Sequence, residues 1–344
     1  TAAARSGRAA GPAQSGVRRM SSVVLLHFHG RRTGVTRHVE DVARLLPAEV
    51  TGWGPLEGVE RLPWRGLLAR TRRGRVVLHA HRNLELLVAL LLRSLRPSVR
   101  VVFTRHSAGR PSRWTRFLAR RADARVVLTR IALRELGLGA EVIPHGVDIE
   151  RFSPPVDRAA AWRALGAGGT HGIGAVGRVR PSKGQQDMAA AWAVLGPRAS
   201  RWRAVLAGLV TRRWRGFAER LAGLELLGEL EDMPALYRGL TVLVQPSRQE
   251  SFSLVLLEAM ASGCCVVAAA LPHYPELVEH GVTGFLYRAG DVPGLVALLD
   301  PLLSEPSRAE AIGQAAAEEV RSRWTLGAEV QALRGLYARV GRLR

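Results

Sequence analysis

Short apolar runs alternate with segments of helical periodicity along most of the chain. In the amino-terminal half we predict strands at 23–28, 76–79, 99–104, 125–128 and 141–143, with helices at 36–46, 84–95 and 114–121. Strands separated by helices usually join one parallel sheet, because a parallel connection must cross over the sheet. Residues 21–150 are therefore predicted to form an α/β domain built on a parallel sheet.

The same alternation starts again near residue 171. We predict strands at 172–176, 204–207, 225–227, 242–244, 266–268 and 284–287, with helices at 185–194, 218–221, 233–238 and 252–261. Pro154 and Pro155 mark 151–170 as a linker with a short helix at 159–165. From 307 the chain is helical to its end, with a break at 324–327. The second domain is predicted over 171–324, as a copy of the first architecture.

Composition narrows the cellular setting. The two cysteines, Cys264 and Cys265, are neighbours on a predicted strand and point to opposite faces, so neither a disulfide framework nor a zinc spacing is predicted. Residues 1–20 carry four arginines, no acid and no apolar core, which predicts a disordered leader, with a basic transit peptide as the alternative. The most apolar helix, 84–95, is too short and too charged to span a bilayer. A cytoplasmic protein is expected.

The net charge of +21 is unevenly distributed. Residues 21–150 hold 23 basic and 11 acidic side chains, whereas 151–344 hold 23 and 18. The amino-terminal half is therefore expected to face an anionic partner, such as a membrane surface or a phosphorylated acceptor; the alternative is a solvated basic surface. No recognisable nucleic-acid module is present, so a nucleic-acid partner is not predicted.

Two carboxylates eight residues apart, Glu250 and Glu258, follow the predicted strand at 242–244. Glu250 falls in the loop at the carboxyl end of that strand, and Glu258 falls inside the next helix, which Gly263 ends. In an open parallel sheet such a loop faces the ligand crevice, and the start of the helix offers free N–H groups to an anion. This segment is the strongest candidate for a binding site.

Lys183 is the only lysine among the 50 basic residues. With Gly177, Arg178 and Gly184 it lies in a turn between a predicted strand and helix, where two cations and flexible backbone suit a pyrophosphate. The alternative is that the lysine survives by chance. The glycines of 172–177 match the spacing of a dinucleotide fingerprint, but they lie before and within the strand, so that interpretation is rejected.

Other candidates are weaker. Gly34, in the loop after the first strand, could let the backbone approach a ligand. His79, His81 and His106 end strands, and they could bond sugar hydroxyls or polarise a reacting oxygen; taken singly, such a histidine is more often structural. The histidines show no metal-ligand spacing, so no metal site is predicted.

Taken together, these segments resemble the retaining family 4 glycosyltransferases, which have the GT-B fold, from about Met20 onward. The 250–258 segment resembles the E-x7-E element of that family, and 177–184 resembles its phosphate-binding turn. Segments 143–148 and 276–286 resemble further family blocks, and 322–337 resembles the helix that crosses back to the first domain. More narrowly, 31–36 and 152–155 are similar to lipopolysaccharide core mannosyltransferases.

The resemblance implies a fold and a set of roles. It implies two Rossmann-like, doubly wound parallel-sheet domains that face a central cleft, with a helix at about 325–344 returning to the first domain. Arg178 and Lys183 would bind and stabilise the donor diphosphate, and Gly34 would approach it. Glu258 would hold the nucleotide ribose, Glu250 would contact the donor sugar, and His106 would lie near that sugar. Sugar hydroxyls and phosphate would meet the main-chain N–H groups of Ser251, Phe252, Ser253 and Leu254.

The implied activity is metal-independent, retaining transfer of a hexose, mannose, from GDP-mannose, with no cofactor. The acceptor would be an anionic glycolipid or glycan such as lipopolysaccharide core, at the inner face of the plasma membrane. The alternatives are a nucleotide-sugar epimerase of similar fold and a non-catalytic protein that binds membranes or nucleic acid. Four positions depart from the family pattern: Ser251 and Ser253 replace glycines, Cys265 replaces a proline, and Thr33 precedes Gly34 where the family often has two glycines.

Overall fold

The computed structural model describes residues 22–343, and the predicted leader at 1–20 lies outside them. The strands are β1 (Ser22–Phe28), β2 (Ala48–Trp53), β3 (Val76–Ala80), β4 (Val99–Arg105), β5 (Ala124–Val127), β6 (Glu141–Val142), β7 (His171–Val176), β8 (Trp202–Ala207), β9 (Glu225–Gly228), β10 (Leu240–Gln245), β11 (Cys265–Ala269) and β12 (Phe285–Tyr287). The helices are α1 (Gly34–Leu45), α2 (Trp64–Arg73), α3 (Asn83–Leu95), α4 (Arg113–Ala119), α5 (Arg130–Leu136), α6 (Arg158–Ala164), α7 (Gln185–Leu195), α8 (Arg215–Ala218), α9 (Met233–Gly239), α10 (Leu254–Ala261), α11 (Val292–Ser304), α12 (Pro306–Arg323) and α13 (Leu326–Val340).

The strands form two six-stranded sheets in which every pairing is parallel. The first sheet has the order β2-β1-β3-β4-β5-β6, and the second has the order β12-β11-β10-β7-β8-β9. In each sheet the order reverses direction once, at β1/β3 and at β7/β10, which is the doubly wound arrangement. The predicted fold class is confirmed.

Helices cover both faces of each sheet. On the first sheet, α2, α3 and α4 share one core, in which Leu67, Leu86 and Leu118 pack with Leu26. Helices α1 and α13 cover the opposite face. Within the predicted linker, Trp162 of α6 is fully buried in the core of the second sheet. Strands enclosed in this way are apolar on both faces, which explains their nearly continuous hydrophobic runs.

The carboxyl-terminal helix α13 packs against the first sheet, although α12 belongs to the second. The crossing point is a parallel bridge between Val147 and Thr325. Val147 N donates to the carbonyl oxygen of Trp324 at 2.8 Å, and Leu326 N donates to that of Val147 at 2.9 Å. A Cβ on Gly146 would lie 2.2 Å from the Thr325 carbonyl oxygen, so this approach of two backbones requires glycine.

The sequence analysis predicts no element at β2, α2, α5 or α11, and its helix at 218–221 is misplaced, since α8 begins at Arg215 and ends at Ala218. β2 is an edge strand with few apolar residues. Its pairing with β1, in which Val50 lies opposite Leu25, determines its position rather than a local sequence pattern. In α2 only Leu67 and Thr71 are buried, and arginines hide the periodicity. Among the described residues, none of the helices combines the length and apolar character needed to cross a bilayer.

Candidate active site

The loops after β7 and β10 leave the second sheet side by side. These strands are neighbours in the sheet, although β8 and β9 separate them in sequence, and the crevice at such a switch point is a common ligand site. Gly184 has φ +70°, and a Cβ on it would lie 1.9 Å from the carbonyl oxygen of Pro246. Arg248 N donates to the carbonyl oxygen of Ser182 at 2.9 Å. Glycine at 184 therefore lets the two loops touch.

This contact places Lys183 beside Glu250, and Nζ forms an ion pair with Oε1. Both side chains are only 15% exposed. The same oxygen accepts hydrogen bonds from Nε2 of Gln245 at 3.1 Å and from Oγ of Ser247 at 2.9 Å. The donors that the described part of the chain supplies to this carboxylate all bond Oε1. Glu250 is thus held in one orientation, and Oε2 is left for a ligand.

An ion pair between Arg248 and Asp187 fixes the loop after β10 to helix α7. Arg248 Nη2 donates to Oδ1 of Asp187 at 2.9 Å, and Nη1 lies 2.8 Å from Oδ2. Asp187 is buried on α7, and burial raises the pKa of its carboxyl, although Arg248 opposes that effect. Because the loop is attached to both α7 and the turn at 182, the position of Glu250 is set before any ligand arrives.

Helix α10 begins at the end of this loop with a strained residue. Ser253 has φ +88°, and it is the one residue other than glycine with positive φ among residues 22–343. Its Oγ caps the helix by accepting from Leu256 N at 3.4 Å. The earlier first-turn N–H groups have no partner within a helix and offer an anion site. Phe252 is buried in the core, so only its main chain can serve a ligand.

Glu258 lies on α10, four residues after Leu254, and is 6% exposed. Its Oε2 accepts a hydrogen bond from the hydroxyl of Tyr237 at 3.0 Å. Its Oε1 lies 3.5 Å from Nη1 of Arg37, which is on α1 of the first domain. Burial raises the pKa of Glu258, and the charge of Arg37 acts in the opposite direction. A polar ligand in the cleft can therefore take the place of Arg37 as the partner of this buried carboxylate.

Further contacts join the two domains around the cleft. Arg178 is exposed, and its Nη2 donates to the carbonyl oxygen of Arg32 at 3.2 Å. This contact brings Arg178 to the loop that precedes Gly34, where a Cβ would meet no atom within 4 Å. On another side, the carboxylate of Glu276 accepts from the N–H of Arg130 at 3.0 Å, at the start of α5. The predicted donor-site residues thus line both walls of one cleft.

Known proteins resemble this chain in sequence. The profile of the family "Glycosyl transferases group 1" matches residues 170–305. The lipopolysaccharide core biosynthesis mannosyltransferase LpcC of Rhizobium leguminosarum bv. viciae is 36% identical over 338 residues, which cover 92% of this chain and 95% of that protein. The mannosyltransferase LpsB of Rhizobium meliloti is 33% identical over 341 residues, 92% and 96% of the two chains. The chain belongs to the group 1 glycosyltransferases.

Solved structures agree with the fold of this glycosyltransferase. Anabaena Alr3699/HepE, in complex with UDP and glucose, has a TM-score of 0.79 at 22% identity and covers 93% of this chain and 100% of its own. The carboxyl-terminal domain of LpcC from Francisella tularensis has a TM-score of 0.50 at 30% identity, over 53% of this chain and 100% of its own. The first likeness supports the architecture alone.

His106 of this glycosyltransferase is half-buried and belongs to a chain of imidazoles whose other members are buried. Its Nδ1 lies 3.1 Å from Nε2 of His145, and its Nε2 lies 3.1 Å from Nδ1 of His81. Nδ1 of His145 lies 3.0 Å from Oε1 of Glu329, and the same oxygen lies 3.2 Å from Nδ1 of His38. Both ring nitrogens of His106 are therefore engaged by other histidines, and a sugar can contact the ring only through its remaining edge.

Burial sets the protonation of this chain. It lowers the pKa of His38 and of His145 to about 3, and Glu329 partly offsets the effect at His38. Burial and neighbouring imidazoles hold the pKa of His81 and of His106 well below 6.5. These rings are neutral near pH 7, so each has one N–H donor and one nitrogen lone pair.

The sequence analysis finds Lys183, Glu250 and Glu258 but not the residues that orient them. Arg37 and Tyr237 hold Glu258, and Gln245 and Ser247 hold Glu250. The first pair carries no local signal, because one arginine among many and one tyrosine on a helix have no distinctive spacing. Gln245 and Ser247 do carry a local signal, since they lie at the end of the strand that precedes Glu250 and just after it.

Proposed function

We propose that this glycosyltransferase moves mannose from GDP-mannose to lipopolysaccharide core or a related cell-envelope glycolipid, with retention of anomeric configuration. The names of the two relatives that match along nearly the whole chain, both lipopolysaccharide core mannosyltransferases, support the sugar and the acceptor. The family match favours glycosyl transfer over the epimerase and over the non-catalytic protein.

The pairing of Lys183 with Glu250 is the observation that carries the mechanism. When the bond between the anomeric carbon and the donor phosphate breaks, negative charge develops on the diphosphate. Lys183 and Arg178 stabilise that charge in place of a metal ion, and a fixed group of this kind commonly contributes about 3–4 kcal/mol. The acceptor hydroxyl then bonds the same face of the anomeric carbon, and its proton passes to the departing diphosphate. Glu250 contacts the sugar through Oε2.

Glu258 holds the ribose in this proposal. Its Oε1 lies 3.5 Å from Nη1 of Arg37 across the cleft, a long contact that a ribose hydroxyl donating to Oε1 would replace. The first-turn N–H groups near Ser253 hold phosphate or sugar oxygens, because the start of α10 carries partial positive charge. Because Glu258 contacts Arg37 of the first domain and would also hold the ribose, donor binding and the contact between the two domains depend on the same side chain.

The outer side of α2, α3 and α4 is proposed to contact the anionic membrane that holds the acceptor, at the inner face of the plasma membrane. These helices pack on one face of the first sheet. Their outer side exposes large apolar residues: Trp64, Leu68, Leu84, Leu91, Leu95, Trp114 and Phe117. The amino-terminal half also holds 23 basic against 11 acidic residues. Exposed leucine and tryptophan among arginines suit the interfacial region of a bilayer.

The donor is tested by thermal shift and by product analysis. GDP-mannose should raise the melting temperature more than UDP-glucose or ADP-glucose, since a ligand stabilises the native state in proportion to its affinity. Proton NMR of the product should show the α-anomer, as in the donor. An isomerised sugar nucleotide after incubation without acceptor would instead support the epimerase. A β-linked product would contradict retention.

Membrane contact is tested with vesicles. The protein should sediment with vesicles that contain anionic lipid, less so at high salt, and not with zwitterionic vesicles. L91E/L95E should weaken this binding, while V194E/L226E, which changes exposed apolar residues of the second domain, should not. Equal loss in both variants would exclude a specific membrane face.

A further inference from the structure

Half of the ten histidines lie in one cluster at the carboxyl edge of the first sheet, and four of these five are buried. They come from α1, from the end of β3, from the end of β4 and from the segment before Val147. Their members are His38, His79, His81, His106 and His145, and neighbouring rings have centroids 4.3–5.4 Å apart. The proposed transfer reaction uses only His106, so the others need a separate explanation.

We propose that His38, His81 and His106 bind a divalent transition-metal ion, with zinc as the first candidate. Each ring offers one nitrogen, and the three nitrogens lie within 4.8 Å of one another. The ring centroids are 5.4, 5.4 and 5.3 Å apart. Three imidazoles around one tetrahedral zinc, with Zn–N bonds of about 2.0–2.1 Å, would have centroids about 5.2 Å apart. The rings therefore already have the required separation, and small rotations bring the nitrogens to the ion.

Hydrogen bonds outside the trio orient the lone pairs. The carboxylate of Glu329 is an acceptor, so the Nδ1 atoms of His38 and of His145, at 3.2 and 3.0 Å, donate to it. Nε2 of His145 is then an acceptor, and Nδ1 of His106 donates to it at 3.1 Å. This assignment leaves a lone pair on Nε2 of His38 and one on Nε2 of His106; the latter accepts the hydrogen bond from Nδ1 of His81 at 3.1 Å, which an ion would replace. A carboxylate that fixes the tautomer of ligating histidines is the usual outer layer of a metal site.

His81 supplies the third ring, and its state also indicates a ligand. Its side chain is 4% exposed, and Nε2 has no hydrogen-bond partner among the described residues. An unpartnered buried nitrogen is costly, so protein groups among the described residues do not fully satisfy this imidazole. Neutral imidazoles favour zinc, copper, nickel or iron over magnesium or calcium, which prefer oxygen ligands.

A second group, His38 with His145 and Glu329, has the same compactness but is less suited to an ion. An ion there would have to displace two hydrogen bonds to the Glu329 carboxylate, whereas in the first group it would displace one, between His81 and His106. The proposed site uses different residues from Arg178 and Lys183, but it shares His106 with the proposed transfer reaction. An ion there would join α1, β3 and β4 and, through Glu329, α13.

Metal binding is tested on the full chain, expressed without a histidine tag and stripped with a chelator. Zinc titration should show one ion bound per chain, and cobalt should give the intense visible absorption of a tetrahedral site. The melting temperature should rise by about 3–5 °C at a zinc concentration 100 times the dissociation constant. H38A and H81A should weaken binding about 100-fold or more, and E329Q should weaken it about 10–100-fold.

The matched control is H79Q. His79 is fully buried in the same cluster, but its nitrogens lie 2.6 Å from the Tyr337 hydroxyl and 2.7 Å from that of Thr104, and it is outside the ligand trio. H79Q should keep both the stoichiometry and the cobalt spectrum. The proposal is overturned if the parent chain binds neither ion or gives a weak octahedral cobalt spectrum. It is also overturned if H38A and H81A bind as the parent does. The measurements on the parent chain decide even where a variant does not fold.

Discussion

Replacing Lys183 by methionine removes the charge at the centre of the proposed donor site and keeps most of the side-chain volume. In the ion pair of Lys183 with Glu250, each side chain is 15% exposed, so the pair is intermediate between a surface pair and a fully buried pair. Exposed pairs contribute about 0–1 kcal/mol, whereas loss of one partner from a fully buried pair costs about 3–5 kcal/mol. Because Gln245 and Ser247 still donate to Glu250, we expect K183M to lose about 1–2 kcal/mol of stability in urea unfolding.

The expected loss of activity is larger. If Lys183 stabilises the leaving diphosphate, K183M should lower kcat/KM by about 10²–10³, which corresponds to about 2.7–4 kcal/mol. The loss should fall mainly on kcat, because the charge that the lysine meets develops in the transition state. The assay is the initial rate of GDP release from GDP-mannose in the presence of acceptor, at a temperature where the variant is folded.

Two further variants make this prediction specific. R180M removes the same charge three residues earlier from an exposed side chain, and it should leave kcat/KM nearly unchanged. K183M/E250Q separates a direct role from a positioning role, because a lysine that only orients Glu250 would add nothing to the loss in E250Q. Activity of K183M within about threefold of the parent would refute the assignment of Lys183 to the diphosphate.

Three other substitutions test the surrounding structure. G146A should destabilise the protein by about 3 kcal/mol or more in urea unfolding, since its Cβ would lie 2.2 Å from the Thr325 carbonyl oxygen, whereas G109A, with open space around it, should be nearly neutral. S253G should stabilise it by about 0.5–1 kcal/mol by relieving positive φ; a loss of stability would contradict the strain. E258Q should be more stable than the parent but inactive. Burial raises the pKa of Glu258 in the folded protein. Proton binding by Glu258 therefore stabilises the fold below pH 4.5, and this stabilisation is lost as pH rises through the folded pKa. The stability difference measured by urea unfolding should therefore grow from pH 4.5 to 8, and a constant difference would contradict the sign.

The donor loops could be predicted because their signals are local. The turn with Lys183 and the loop with Glu250 each follow an apolar strand and precede a helix, and parallel strands bring such loops to one edge of a sheet. The spacing from Glu250 to Glu258 likewise survives folding, since a short loop and one helix separate them. The edge strand β2 and the arginine-rich α2 were beyond such reasoning, because neighbouring elements give them their buried faces.

The chain by itself determined the succession of strands and helices, the uneven charge, and the placement of one lysine and two carboxylates at strand ends, since all three depend on residues close in sequence. Only the tertiary structure decided that Arg37 meets Glu258, that His38, His81 and His106 come together, and that Glu329 contacts His38. The partners in these contacts are separated by 25 to 291 positions, and no periodicity reports a contact of that range. The crossing of α13 back to the first sheet, which glycine at 146 permits, brings the last of them into place.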